Sequence, residues 1–136
     1  MLTCGDIVYI KVQLQYMDEP KPKILVYICN DNNPVFLKIN SNSHKFCNEV
    51  LLRKSIYSFL LHDSYLDCSF VINNAISTEQ LDHILNYDKN VVKGKLTFED
   101  LKQASIIINQ VRTISPINRR LINTAITGLL KPYNSN

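Results

Sequence analysis

Several things are missing from this 136-residue chain, and each absence removes a class of function. No apolar run approaches the roughly 20 residues that a membrane-spanning helix needs, so insertion into a bilayer is not expected. A strong charge of one sign is also missing. The formal net charge is +3, which permits an anionic partner but is far from a dedicated basic arm. The N-terminus reads Met-Leu-Thr-Cys-Gly-Asp, with no basic region ahead of an apolar one, so no secretory signal is expected. None of Cys4, Cys29, Cys47 and Cys68 forms a Cys-x-x-Cys pair, and the histidines complete no zinc spacing. Cys29 and Cys68 sit inside apolar runs, where a thiol behaves as a small hydrophobe. The expectation is a reduced, cytoplasmic protein with no disulfide, metal or cofactor. Internal repeats, low-complexity tracts and linkers are not visible, so 1–136 reads as a single domain with one core.

What is present splits into two halves of different period. Apolar content is 46% and charged content 20%, as in ordinary globular proteins. "DIVYIKVQL" alternates, with Val8, Ile10, Val12 and Leu14 on the buried face and Ile7, Tyr9, Lys11 and Gln13 on the other. The proline-broken "QYMDEPKPK" reads as an extended loop. "ILVYIC" is a continuous run rich in β-branched residues, which fits a central strand. "NDNN" is a turn, and "PVFLKI" is the return strand with Pro34 at its first position. Lys23 to Asn40 is therefore predicted to be a hairpin. "EVLLRKSIYSFLLHD" fits either strand or helix, a short strand near Glu49–Leu52 with a helical turn after it among the options, and "YLDCSFVIN" reads as another strand. "ISTEQLDHILNYD" fits either a short strand or a turn of helix.

After residue 95 the period is helical. Thr97, with Asp100 three residues on, resembles a capping box, and Leu96 and Leu101 would form its staple. Leu101, Ala104, Ser105, Ile108 and Val111 share one face. A second helix has Ser115 as N-cap, Pro116 at its first position, an apolar stripe of Ile117, Leu121, Ile122, Ala125 and Leu129, and Pro132 as its stop. Arg119 and Arg120 read as its solvent face.

The chemistry-bearing stretch is the polar end of the hairpin, "KINSNSHK". Lys21 or Lys23 enters one strand and Ser41 leaves its antiparallel partner, so they lie near the same end. Metal-free RNA cleavage needs a base for the ribose 2′-hydroxyl, charge stabilisation at phosphorus and an acid for the leaving oxygen. Lysines supply charge-assisted donors, Ser and Asn orient a phosphate, and His44 is the acid/base candidate because an imidazole ordinarily titrates near neutrality. Each of these residues also has an ordinary reading. Charge runs are solvated faces, and Asn40 to Ser43 have turn composition.

Three anchors resemble the MazF/PemK/Kid toxin family. "GDIVYIKV" is similar to its opening "GDIV" strand, "KPKILVYICND" to its "RPALVISND" strand with Lys21 in place of Arg, and "GKLTFEDL" to its "GKLSEEDL" helix entry. The likeness covers roughly residues 5–112, and the helix over 116–130 is an addition. It implies an α+β fold, a small twisted antiparallel SH3-like barrel with two C-terminal helices. It further implies a homodimeric endoribonuclease acting on single-stranded RNA, leaving a 2′,3′-cyclic phosphate and a 5′-hydroxyl, and a cognate antitoxin of protein or RNA. On this reading Lys23, Ser41 and His44 are catalytic, and Lys21, Asn40, Ser43 and Lys45 bind substrate. Lys23, Ser41 and Lys45 also resemble the Lys, Thr and Ser used by ToxN-type toxins. The departures are specific. Asn40 replaces the usual Thr of the "PITS" motif, and Val71 and Asn73 stand where the family often has Arg and Asp. Those departures keep open a second reading, a catalytically degenerate module that binds protein or nucleic acid.

Overall fold

In a computed structural model, which describes residues 1–44 and 48–134, the chain is α+β. Six strands form one antiparallel sheet: β1 (Asp6–Val12), β2 (Lys21–Asp31), β3 (Asn33–Asn40), β4 (Glu49–Leu52), β5 (Ser64–Ile72) and β6 (Val92–Lys95). Their order across the sheet is β4-β5-β3-β2-β1-β6. The sheet is not closed into a barrel. Its free edges are the two four-residue strands, and edges that short present few unpaired backbone groups.

The predicted hairpin is there, with Ile24 opposite Ile39 and Asn32 at φ 64° in its turn. A positive φ is tolerated by Asn better than by most residues, which explains the Asn-rich turn. β2 and β3 read as continuous apolar runs because both of their faces are covered. On one face Ile7, Val26, Leu37 and Leu66 pack with α2 (Phe98–Ile108) and α3 (Pro116–Asn134). On the other, Val8, Leu25 and Phe36 pack against α1 (Thr78–Tyr87) through Leu81. Ile7 departs from the simple alternation expected for β1, since this second layer buries it too.

The ambiguous segment after residue 76 is helix α1. Ser77 accepts from the Gln80 N–H, and the Gln80 side chain accepts from the Ser77 N–H, a complete capping box that outweighs its mixed apolar spacing. β6 had no periodic signal, because four half-exposed residues carry none. At α2 only half of the expected capping box forms. Thr97 accepts from the Asp100 N–H at 3.2 Å, while the Asp100 carboxylate takes the Tyr57 hydroxyl instead of reaching back. Leu96 and Leu101 are both buried in the same core, as the staple requires. In α3, Ser115 caps through the Asn118 N–H and Ile122 is fully buried. Ile117 is 70% exposed, and Ile126 takes the core place it was expected to fill. Pro132 does not end the helix, which runs to Asn134. A proline removes one N–H from the last turn, and the turn persists without it. Arg119 turns inward rather than to solvent and donates to the carbonyls of Val111 and Ile114, at 2.7 and 3.3 Å, tying α3 to the connection that follows α2. No helix among the described residues is long and apolar enough to cross a membrane.

Tyr57 ties the loop after β4 to the α2 N-terminus. Its buried hydroxyl donates to Asp100 and accepts from the Thr97 N–H at 3.1 Å. Burial first, and then the Asp100 carboxylate, push its pKa up to about 12. Burial likewise pushes the Cys68 thiol to about 12 and Cys4 to about 11. The native state thus favours the neutral form of all three, a contribution intact below their unfolded values and lost as pH rises through the native ones. Stability to urea is expected to be flat below pH about 9 and to fall as pH climbs from there to about 12. Tyr57→Phe should lower stability at neutral pH by about 1–3 kcal/mol and make the alkaline fall shallower, read from urea curves across the pH range.

Candidate anion-binding cleft

At the open end of the β2–β3 hairpin, register decides what meets. One step beyond the Ile24–Ile39 pair, Lys23 comes level with Asn40. On β3, Lys38 and Asn40 are two residues apart and share the face that carries Phe36 further along. The loop 59–64 closes over this end. Asp63 accepts from the Lys54 N–H at 2.8 Å, and the Lys54 ammonium donates to the Leu61 carbonyl at 3.3 Å. The Phe59 ring lies so close to Gly94 of β6 that a Cβ there would sit 3.1 Å from it. Only glycine lets this loop rest on the edge strand without displacing the ring.

Between loop and strands is a cleft of about 530 Å³. Its polar lining includes Lys23, Lys38, Lys93, Asn40, Ser41 and His62, with Tyr9 and Phe59 as aromatic walls. No carboxylate lines it. Among the described residues the single ion pair joins Lys95 to Asp6 at 3.4 Å, so Lys23 and Lys93 keep their charge for a ligand. Lys38 is steered rather than neutralised, because its ammonium donates to the Tyr16 hydroxyl at 2.7 Å. Lys23 and Lys93 lining the cleft, with Lys38 on its shared wall, favour an anion with several oxygens, such as phosphate. His62 Nδ1 is 2.9 Å from the Asp63 carbonyl, which only accepts, so Nδ1 is the donor and Nε2 is the ring nitrogen left for a ligand.

A second cavity, of about 420 Å³, lies on the far side of the same wall. Lys38 and Asn40 line both. His44, Asp67, Tyr16 and Phe70 belong to the second cavity alone. Asn40 is 9% exposed, and among the described residues its side-chain amide makes no hydrogen bond. Lining both cavities, that amide has donors and an acceptor left over for a ligand.

Of the residues singled out from the sequence, the structure brings Lys23, Asn40 and Ser41 to one cleft. Lys21 is exposed at the start of β2, paired with Val12 and outside the lining. Ser43 donates to the Glu49 carboxylate, and the His44 backbone N–H lies 3.3 Å from the same group. His44 opens on the second cavity. Lys45 lies outside the described residues. Val71 lines the second cavity, and Asn73 is exposed. Sequence reasoning missed Lys38, Lys93, His62 and Asp67. The alternation of "LKIN" was a usable signal for Lys38, while His62 and Lys93 arrive from loop and edge strand and carried none. Cys4 and Cys68 add no nucleophile, since burial raises the pKa of both thiols. Among the described residues no group of three or more His, Cys, Asp or Glu side chains is placed to hold a metal ion.

No protein-family model matches the chain, and no curated protein shows significant similarity to it.

Asn40→Leu replaces, at similar volume, a cavity-lining amide that makes no hydrogen bond among the described residues. It should raise stability by about 1–2 kcal/mol in thermal or urea unfolding, the reverse of what a structural asparagine would do.

Proposed function

We propose that the cleft binds the backbone of single-stranded RNA and cleaves it without a metal, as an endoribonuclease toxin restrained by a cognate antitoxin. The observation that carries this reading is the gathering of Lys23, Lys38 and Lys93 with Ser41 and a histidine of free Nε2 in one carboxylate-free cleft. The resemblance in the strand anchors supports it, and on this reading the open sheet is a variant of that family's SH3-like barrel, working as a homodimer in the cytoplasm. The aromatic walls of Tyr9 and Phe59 suit unstacked bases, which only a single strand offers.

In the reaction, His62 Nε2 takes the proton from the ribose 2′-hydroxyl as its oxygen attacks phosphorus. The bond from phosphorus to the 5′-oxygen breaks. The Lys23 ammonium gives that oxygen a proton, and Lys93 holds the charge that develops on the non-bridging oxygens. Ser41 and Asn40 orient the phosphate. His62 takes the role expected of His44 because it lines this cleft and His44 does not.

A second reading, a non-cleaving binding module, is favoured by Val71 and Asn73. One is half-buried against the core and the other exposed, and neither can supply the charge that Arg and Asp would.

Induced expression in a bacterial host, with 5′-hydroxyl RNA ends mapped, tests the proposal. Growth arrest with a recurring cut sequence is expected. His62→Ala should reduce cleavage by about 10²-fold or more while leaving RNA binding near normal. Lys23→Ala should weaken both, and the weakening should shrink as salt rises. Normal growth with no new ends, alongside RNA binding in vitro, would leave only the binding module standing.

A further inference from the structure

The second cavity has features that phosphate does not explain. Asp67, 8% exposed, lines it, with Oδ1 accepting from the Ser69 N–H at 2.8 Å. Among the described residues Oδ2 has no hydrogen-bond or ion-pair partner. Asp67 sits opposite Lys38, and Asn40 opposite Tyr65, so Asp67 and Asn40 are diagonal neighbours on one face of β5 and β3. Such positions are about 7–8 Å apart, room for the edge of one heterocycle between their polar ends. Tyr16 and Phe70 also line the cavity, and both are well exposed, at 67% and 58%. An anion would be repelled by Asp67, and an apolar ligand would strand both polar groups.

The geometry points to a nucleobase pocket selective for guanine. On its pairing edge guanine alone sets two adjacent N–H donors, N1–H and the 2-amino group, beside an acceptor, O6. The Asp67 carboxylate takes both donors, a charge-assisted pair, and the Asn40 amide donates to O6. Adenine and cytosine turn a ring-nitrogen acceptor toward the carboxylate. Uracil offers one donor between two carbonyl oxygens. Tyr16 and Phe70 supply stacking faces. The shared wall then has a purpose. With the base in the second cavity, the adjoining phosphate reaches the lysine cleft past Lys38 and Asn40. This inference deepens the RNA-cleaving proposal by assigning guanine to the nucleotide at the cut. It rests on that proposal only for the source of the base.

Calorimetric titration of the intact protein with GMP, IMP, AMP, CMP, UMP and a uridine hexanucleotide tests it. GMP is expected to bind at least about tenfold more tightly than AMP, CMP or UMP. IMP, which lacks the 2-amino donor, should bind about tenfold more weakly than GMP. Asp67→Asn keeps an oxygen for the Ser69 N–H, and it should bring GMP affinity to within about twofold of AMP. Phe70→Ala, at an exposed position, should weaken every mononucleotide. Equal binding of GMP, AMP, CMP and UMP, or of GMP and IMP, overturns the pocket, and the comparison on the unaltered protein decides even if Asp67→Asn fails to fold. Guanine selection by a protein that cuts no RNA would sink the ribonuclease proposal and leave the pocket. Cleavage with no guanine preference would do the opposite.

Discussion

Val35, Phe36 and Leu37 are consecutive on β3, and all three are buried because helices cover both faces of the sheet at that strand. That double cover constrains the rest. A strand buried on both sides tolerates no register slip, since a one-residue shift would trade every side chain between two differently shaped layers. Its register with β2 is thereby fixed, and so is the level at which Lys23 meets Asn40. The cover stops short of the strand's end. There Lys38 and Asn40 continue the Phe36 face without a helix above them, and both cavities begin. The site is the uncovered remainder of a face whose other part is core.

This division explains the charge arrangement. Lysines reach the cleft from β2, β3 and β6, while Asp67 and Glu49 sit on β5 and β4, and Asp6 on β1 is taken up by Lys95. At this end of the sheet the β3–β5 seam lies between those lysines and the two acids of β5 and β4. Asn40 stands at that seam as a neutral residue with both donor and acceptor capacity. Lys38 stands there too, with its ammonium drawn to the Tyr16 hydroxyl.

How much of this was legible in the sequence follows from where each signal is stored. The hairpin could be read because its β-branched run, its Asn-rich turn and its leading proline agree locally. The last two helices could be read from their capping residues and their 3.6-residue period. The layers could not, because Ile7 and Ile126 are buried by partners distant in sequence. α1 was hidden by its mixed apolar spacing, although Ser77 and Gln80 held the capping signal. The site divides the same way. Lys23, Asn40 and Ser41 meet through a local antiparallel pair, which sequence can show. His62, Lys93 and Asp67 reach their places through the β5 pairing, the Phe59–Gly94 contact and the β6 edge, none of which has a local signature.

The pairing of β1 with β6 also bears on how the chain folds. Asp6 lies opposite Lys95, so the N-terminal strand cannot complete its outer ladder until nearly the whole sheet sequence exists. During synthesis the β2–β3 hairpin can form early from neighbouring residues. β1 then joins it with one edge open, and that edge remains a template for other strands until residues 92–95 emerge. Closing such a long loop is slow compared with forming a hairpin. The arrival of β6 also brings Gly94 against Phe59 and Lys93 to the cleft. The lysine cleft is therefore completed late, after the hairpin and its register are already in place.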